Sequence, residues 1–330
     1  MARDSIQPLL ESIALISVGL LLLGGGGEAL LRGAVGLATL LRLSPAVIGL
    51  TVVAAGTSVP ELSVSVIAGL RGQADIAVAN AVGSNLFNIG FILGLCAMVR
   101  PLAITGNTIR LEYPVLAIVT LMCLAVSQDG VINWLDGTLF ITVYVGFTAY
   151  MVTLVRQQVN AQESAELGAE VAELGGKGAP RLGLLIVMLT VGVVLLAFGA
   201  HATVTGAVNL ARLLGMSERV IGLTIVAVGT SLPEIVASLM SSWRGRDDIA
   251  IGNVIGSNLF NILGILGLSS LVIPMQVHPA IVSSDNWWML GLTLLLFPLM
   301  YTGRSIRRIE GALLMAVYLI YVGLLLQRAA

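Results

Sequence analysis

Of the 330 residues, 57% are hydrophobic and only 11% charged, with a formal net charge of −1. A water-soluble domain carries about 25% charged residues, so the chain reads as an integral membrane protein, and its near-neutral charge leaves no basic surface for nucleic acid. Cys96 and Cys123 both lie in apolar runs, where buried packing is expected rather than a disulfide framework.

The N-terminus carries Arg3 and Asp4 ahead of an apolar run that ends in Gly24–Gly27, with no cleavage motif; a retained span is expected rather than a signal peptide. A helix needs about 20 mostly apolar residues to cross a bilayer. That criterion gives spans near 9–31, 46–70, 75–98, 112–127, 135–155, 182–204, 218–242, 248–272, 286–302 and 309–327, the short fourth one having room to begin nearer Thr108. The one hydrophilic stretch, Arg156 to Arg181, holds Glu163, Glu166, Glu170 and Glu173 and a Gly-rich end. It divides the chain into an N-terminal unit, 1–155, a connector, 156–181, and a C-terminal unit, 182–330.

Cytoplasmic loops are rich in Lys and Arg. The loops after the odd-numbered spans hold Arg32, Arg42, Arg100, Arg110, Arg156, Lys177, Arg181, Arg244, Arg246, Arg304, Arg307 and Arg308; the other face holds Arg3, Arg71, Arg212, Arg219 and Arg328. The connector is therefore expected in the cytoplasm and both termini outside. Five spans per half is an odd number, so the second half enters from the opposite side.

The halves are related in sequence as well. Ile48–Leu95 aligns without a gap on Ile221–Leu268, 173 positions later, with 29 identities in 48. The register reaches back to the first and sixth spans, where Gly33-Ala34-Val35 matches Gly206-Ala207-Val208. The expected fold is an all-α membrane protein of ten transmembrane helices, built as two inverted five-helix repeats with helices 2 and 7 broken. Inverted repeats with interrupted helices and a midplane site are the usual plan of secondary transporters.

The first shared string is Gly56-Thr57-Ser58-Val59-Pro60-Glu61 against Gly229-Thr230-Ser231-Leu232-Pro233-Glu234. Proline cannot continue a helix but fits the first turn of a new one. Ser58 with Glu61, and Ser231 with Glu234, match the S-x-x-E capping box. A break should free carbonyls around Ala54–Thr57 and Ala227–Thr230, and irregular backbone at that depth persists only where it lines a cavity or is buried. Glu61 and Glu234 could merely cap their half-helices. Yet two carboxylates related by an inverted two-fold should meet, and they would repel or share a proton unless a cation lay between them.

The second string is Gly83-Ser84-Asn85-Leu86-Phe87-Asn88-Ile89 against Gly256-Ser257-Asn258-Leu259-Phe260-Asn261-Ile262. Ser84 and Asn88 share a helix face at i and i+4, as do Ser257 and Asn261, and are read as ion ligands. Gly83, Gly256, Asn85 and Asn258 serve equally well for close helix packing. Two carboxylates, hydroxyl and amide oxygens and freed carbonyls, with no sulfur or imidazole, suit a hard cation such as Ca²⁺ or Na⁺. No cofactor or protein partner is implied; the lipid bilayer is the surrounding medium.

In these strings the chain resembles the cation/Ca²⁺ exchanger superfamily, specifically prokaryotic Na⁺/Ca²⁺ exchangers, whose paired alpha repeats correspond to 48–95 and 221–268. The resemblance implies a Na⁺/Ca²⁺ antiporter of a bacterial inner (plasma) membrane, with Na⁺ entry driving Ca²⁺ efflux by alternating access as spans one and six slide across the core. It implies Glu61, Glu234 and the carbonyls of Thr57 and Thr230 for Ca²⁺. For Na⁺ it implies Ala54, Ser58, Ser84, Ala227, Ser231 and Ser257, with Asn88 and Asn261 as the central polar pair. Some members, K⁺-dependent ones and an archaeal relative among them, carry Asp where this chain has Asn261; with Asn at both places the centre resembles the K⁺-independent animal exchangers, which disfavours K⁺ transport. The short connector leaves no room for the regulatory Ca²⁺-sensing domains of animal members. Gly24–Gly27, Gly33, Gly199 and Gly206 suit either a sliding surface or close packing. Glu28 and His201 occupy equivalent positions and are assigned no role.

A Ca²⁺/H⁺ antiporter could use the same glutamates. An intramembrane hydrolase with a Glu61/Glu234 dyad would leave the duplicated serines and asparagines unexplained and lacks an oxyanion donor. A passive channel could also use broken helices.

Overall fold

The computed structural model describes residues 2–41, 43–72, 74–155, 182–216 and 227–329. The connector 156–181 and the opening of the seventh expected span, 218–226, lie outside the described residues. We label the longer helices α1 (Ala2–Leu41), α2 (Val59–Leu70), α3 (Ala74–Phe87), α4 (Tyr113–Val126), α5 (Trp134–Val155), α6 (Leu182–Leu213), α7 (Leu232–Trp243), α8 (Asp247–Leu259), α9 (Asn286–Tyr301) and α10 (Arg308–Ala329).

Among the described residues seven helices are long and apolar enough to cross a membrane: Pro8–Leu41, Asp75–Val99, Thr108–Asp129, Trp134–Thr153, Leu182–Leu213, Asp247–Val272 and Arg308–Gln327. An eighth is counted if the pair Pro45–Thr57 and Val59–Leu70, bent by 46°, is one span. The chain is an integral membrane protein. Its periphery carries Leu21, Val145, Phe198 and Ile320, all more than half exposed, an apolar rim that water would penalise and lipid accepts. The most apolar stretch of Asp247–Val272 is wholly buried and that of Asp75–Val99 is 72% buried, against 17–33% for the other five. These two helices form the axis of the protein, and both carry the Gly-Ser-Asn string.

The first and sixth spans run longer than expected, to Leu41 and Leu213. At 40 residues α1 is about 60 Å long, roughly twice the hydrocarbon thickness, so it tilts or projects. The two helices lie backbone to backbone. A Cβ added at Gly192 would stand 2.7 Å from the Leu30 nitrogen, and one at Gly199 2.8 Å from that of Leu23. Gly24 and Gly25 touch nothing within 4 Å of such a Cβ, whereas Gly27 faces Val236 of α7.

The fold departs from all-α at its loops. Leu102–Ala103 (β1), Val131–Ile132 (β2), Met275–Gln276 (β3) and Ser305–Ile306 (β4) form two antiparallel ribbons, β1 with β4 and β2 with β3. Arg100 and Ile273, which end equivalent helices, share φ −145° and ψ 131°. Their extended exits leave unpaired backbone groups that seek a ladder. Both ribbons join one half of the chain to the other.

Sequence reading also missed the π-helical turns at Gly49–Val53, Asn88–Leu93, Thr108–Glu112, Phe260–Leu266 and Ile281–Asp285. Thr108–Glu112 and Ile281–Asp285 are 173 positions apart, which carries the duplication beyond the aligned segment. Cys96 and Cys123 are free and buried.

Candidate cation-binding site

The first acid is placed by an interrupted helix. Ala54–Thr57 completes one turn, Ser58 turns at φ −84° and ψ 11°, and α2 starts at Val59 with Pro60 in its first turn. Pro60 has no N–H to offer the Gly56 carbonyl. The second copy repeats the arrangement: Ala227–Gly229, a turn through Thr230 and Ser231 at φ −90° and ψ 8°, then α7 with Pro233 in its first turn. Glu61 and Glu234 therefore sit in the first turns of α2 and α7, at 1% and 2% exposure.

The expected capping boxes do not form. Neither Ser58 nor Ser231 makes a side-chain cap, and the Ser58 N–H instead closes the previous turn onto the Ala54 carbonyl at 3.1 Å. Each serine has found a better acceptor, a carboxylate in the other repeat. Ser58 Oγ donates to Glu234 Oε1 at 2.8 Å and Ser231 Oγ to Glu61 Oε1 at 3.1 Å. Hydrogen bonds to ionised acceptors are roughly twice as strong as neutral ones. The Thr230 side chain also approaches Glu61, Thr57 approaches Glu234, and Glu61 lies within the field of Glu234.

The amides of the second string are linked in a chain. Asn88 Nδ2 donates to Asn258 Oδ1 at 3.3 Å, Asn261 Nδ2 to Asn85 Oδ1 at 3.0 Å, and Asn85 Nδ2 to the Asn258 carbonyl at 3.2 Å. Asn85 and Asn258 thus orient Asn88 and Asn261. Both central asparagines stand at or beside the start of a π-helical turn, a local rewinding often found at functional sites.

Among the buried oxygens without a hydrogen-bond partner are four carried by the two acids and the two central amides: Glu61 Oε2, Glu234 Oε2, Asn88 Oδ1 and Asn261 Oδ1. They form two repeat-related pairs, and burying a polar atom unpaired costs about 1–3 kcal/mol, more for a charged one. Among the described residues neither glutamate is paired with a basic side chain, and no group of three or more His, Cys, Asp or Glu converges. Two carboxylates and neutral oxygens are thus the available ligand set, which suits a hard cation rather than a transition metal.

Other expected residues fall nearby. Ser257 is fully buried with an unpartnered hydroxyl, and Ser84 is buried one turn before Asn88. Thr57 Oγ1 is shared between the Ala54 carbonyl and Asn253 Oδ1, both at 3.3 Å. Thr230 is half-buried in its turn, and Ala227 begins the turn before it, its side chain lying outside the described residues. Gly256 lets α8 touch the interrupted helix, since a Cβ there would collide with the Leu50 carbonyl and Ala54. Gly83 meets nothing within 4 Å. Sequence reading passed over Ser65, Asn80, Ser238 and Asn253, although both pairs are identical between copies. That identity was the available signal.

A family profile described as sodium/calcium exchanger protein matches residues 11–153 and 184–327. The chain belongs to the sodium/calcium exchanger family. Among its relatives, CaxA of Alkalimonas amylolytica, named as an antiporter, is 38% identical over 96% of this chain and 99% of its own length. The sodium/calcium exchanger MaX1 of Methanosarcina acetivorans is 30% identical over 93% and 96%. The sodium–calcium exchanger NCX_Mj, solved after soaking without Na⁺ or Ca²⁺, superimposes with a TM-score of 0.81 at 30% identity, covering 96% of this chain and 99% of that one. As a member of the exchanger family the protein is a cation/Ca²⁺ antiporter, a transporter rather than an enzyme.

Proposed function

We propose that the protein exchanges Na⁺ for Ca²⁺ at one cage formed by Glu61, Glu234, Asn88 and Asn261, with Na⁺ entry driving Ca²⁺ export. The observation that carries this reading is the set of four unpartnered oxygens, two from each repeat, around reciprocal serine–glutamate bonds. With the Thr57 and Thr230 carbonyls they make a set of six, at the lower end of the about six to eight oxygens that Ca²⁺ takes. Two carboxylates offset one Ca²⁺, which matters where screening is weak. Na⁺ would use the same oxygens with the hydroxyls of Ser58, Ser84, Ser231 and Ser257 and the carbonyls of Ala54 and Ala227, so the two ions compete.

In this reading the chain forms ten spans in two inverted units, 1–155 and 182–330, joined by a cytoplasmic connector, 156–181, with both termini outside a bacterial inner membrane. Helices α1 and α6 move as a pair against the rest. Their backbone-to-backbone packing supports a rigid pair, and NCX_Mj is described as undergoing extracellular ion exchange and induced binding-site occlusion.

Coupling to H⁺ is the second reading, favoured by two buried carboxylates with no basic partner among the described residues, each able to carry a proton. The test is ⁴⁵Ca²⁺ uptake into Na⁺-loaded proteoliposomes, with and without a pH gradient. Uptake that follows the Na⁺ gradient at matched pH supports Na⁺ coupling; uptake driven only by the pH gradient replaces it with H⁺.

A further inference from the structure

We propose that Asn253 and its repeat counterpart Asn80 are positioning residues that pin the glutamate-bearing helices to the central axis and so set the cation affinity of the site. The proposal rests on the reading of Glu61 and Glu234 as cation ligands.

Asn253 lies on α8, is fully buried and sits where three elements converge. Its Nδ2 donates to Ser238 Oγ at 2.9 Å, and its Oδ1 accepts from Thr57 Oγ1 at 3.3 Å. Ser238 follows Glu234 by four residues and shares its face of α7. Thr57 precedes Ser58, whose hydroxyl holds Glu234 Oε1. One amide therefore fixes both supports of Glu234: the helix that carries the acid and the turn that carries its hydrogen-bond donor.

Asn80 does the equivalent work on α3. Its Nδ2 donates to Ser65 Oγ at 3.1 Å and to the Glu61 carbonyl at 3.3 Å. Ser65 follows Glu61 by four residues, so the amide grips the helix at the acid's own peptide unit and one turn further on. Neither asparagine is bonded to a carboxylate or to any of the four unpartnered oxygens. Their effect on a cation is through placement. General helix packing by buried asparagine would explain one such contact. It does not explain two repeat-related amides that each select the serine one turn beyond a glutamate.

The test compares Asn253→Ala, Ser238→Ala, the double variant and Asn80→Ala, purified in proteoliposomes, by Na⁺-dependent ⁴⁵Ca²⁺ exchange. Partners that orient ligating groups typically change metal affinity 10–100-fold. Each single variant should raise the Ca²⁺ KM about tenfold with the maximal rate within twofold, and the double should be no worse than the weaker single. The exchange of partners, Asn253→Ser with Ser238→Asn, rebuilds an amide–hydroxyl bond across the same interface and should recover part of the affinity. A KM unchanged within twofold, a loss confined to maximal rate, or additive effects in the double variant would each overturn the proposal. Ser238→Ala removes a single oxygen, so it decides the matter should Asn253→Ala fail to fold. Glu234→Gln, run alongside, separates the two layers: near-normal exchange there removes the underlying reading, whereas its loss beside an unaffected Asn253→Ala removes only the positioning role.

Discussion

The Ser58 hydroxyl lies 2.8 Å from Glu234 Oε1, and the same bond is made in reverse by Ser231 to Glu61 at 3.1 Å. Each acid is thus steadied by the opposite repeat, with its second oxygen left over. Removing one hydroxyl leaves a buried carboxylate oxygen unpaired and free to reorient. Ser58→Ala and Ser231→Ala should each weaken Ca²⁺ affinity by about 1.5–3 kcal/mol, the range for a hydrogen bond to a charged group, read as the Ca²⁺ dependence of exchange. Equal affinities in variant and parent would show that the bonds do not organise the site.

Glu61→Gln and Glu234→Gln keep the shape of each side chain and remove its charge. Either should abolish Ca²⁺ exchange while the protein still purifies as a monodisperse species with its helical circular dichroism intact. Near-normal transport by either variant contradicts the assignment.

Asn261→Asp adds a third acid to the centre, where Asn261 Oδ1 has no partner. A divalent ion is then over-balanced by negative charge and released more slowly. The expected result is tighter Ca²⁺ retention and a lower maximal rate at neutral pH. Acidification should relieve the defect, because protonating one of three carboxylates restores the parent's charge. Unchanged kinetics, selectivity and pH dependence would place Asn261 outside the site.

The contact between α1 and α6 predicts a contrast between two glycines. A Cβ at Gly192 meets the Leu30 backbone at 2.7 Å, whereas one at Gly24 meets nothing within 4 Å. Gly192→Ala should lower Tm and slow exchange, since the helices must separate. Gly24→Ala should leave exchange unchanged and raise stability by up to about 1 kcal/mol through helix propensity. Thermal unfolding in one detergent checks both.

Glu28 of α1 bonds Arg32 at 2.8 Å and Arg244, just beyond α7, at 3.0 Å. The repeat-equivalent positions are His201 and Arg71, both exposed, so the mirror-image link is not available to them as a carboxylate–guanidinium pair. If α1 and α6 move against the rest, the Glu28–Arg244 contact must break in each cycle. Glu28→Gln and Arg244→Gln should then raise the maximal exchange rate without changing Ca²⁺ KM. Rates no higher than the parent's would mean that this contact stays intact during transport.

The proline breaks and the two acids beside them were readable from residue type and spacing, because a proline's effect on a helix is backbone chemistry that neighbours cannot overrule. Pro60 and Pro233 start new helices as that chemistry requires. What stayed hidden depends on partners distant in sequence. The S-x-x-E pattern pointed to local caps, but Ser58 and Ser231 were drawn to carboxylates across the repeat interface. The π-helical turns at Asn88 and Asn261 have no local propensity signature, and the ribbons pair residues about 200 positions apart in one case and about 145 in the other. The lengths of α1 and α6 were underestimated because hydropathy marks what prefers lipid. Their extensions begin with glycines packed on the opposite helix, Gly36 against Leu185 and Gly206 against the Ser12 carbonyl.

The crossed serine–glutamate bonds make each half dependent on the other. A half-length polypeptide bearing a single motif would present an acid stripped of its supporting hydroxyl, and only by meeting a second copy could it restore the serine–glutamate bonds. Position 28 holds a carboxylate and its counterpart 201 an imidazole, so the chain has two non-identical ends around a centre whose paired motifs match.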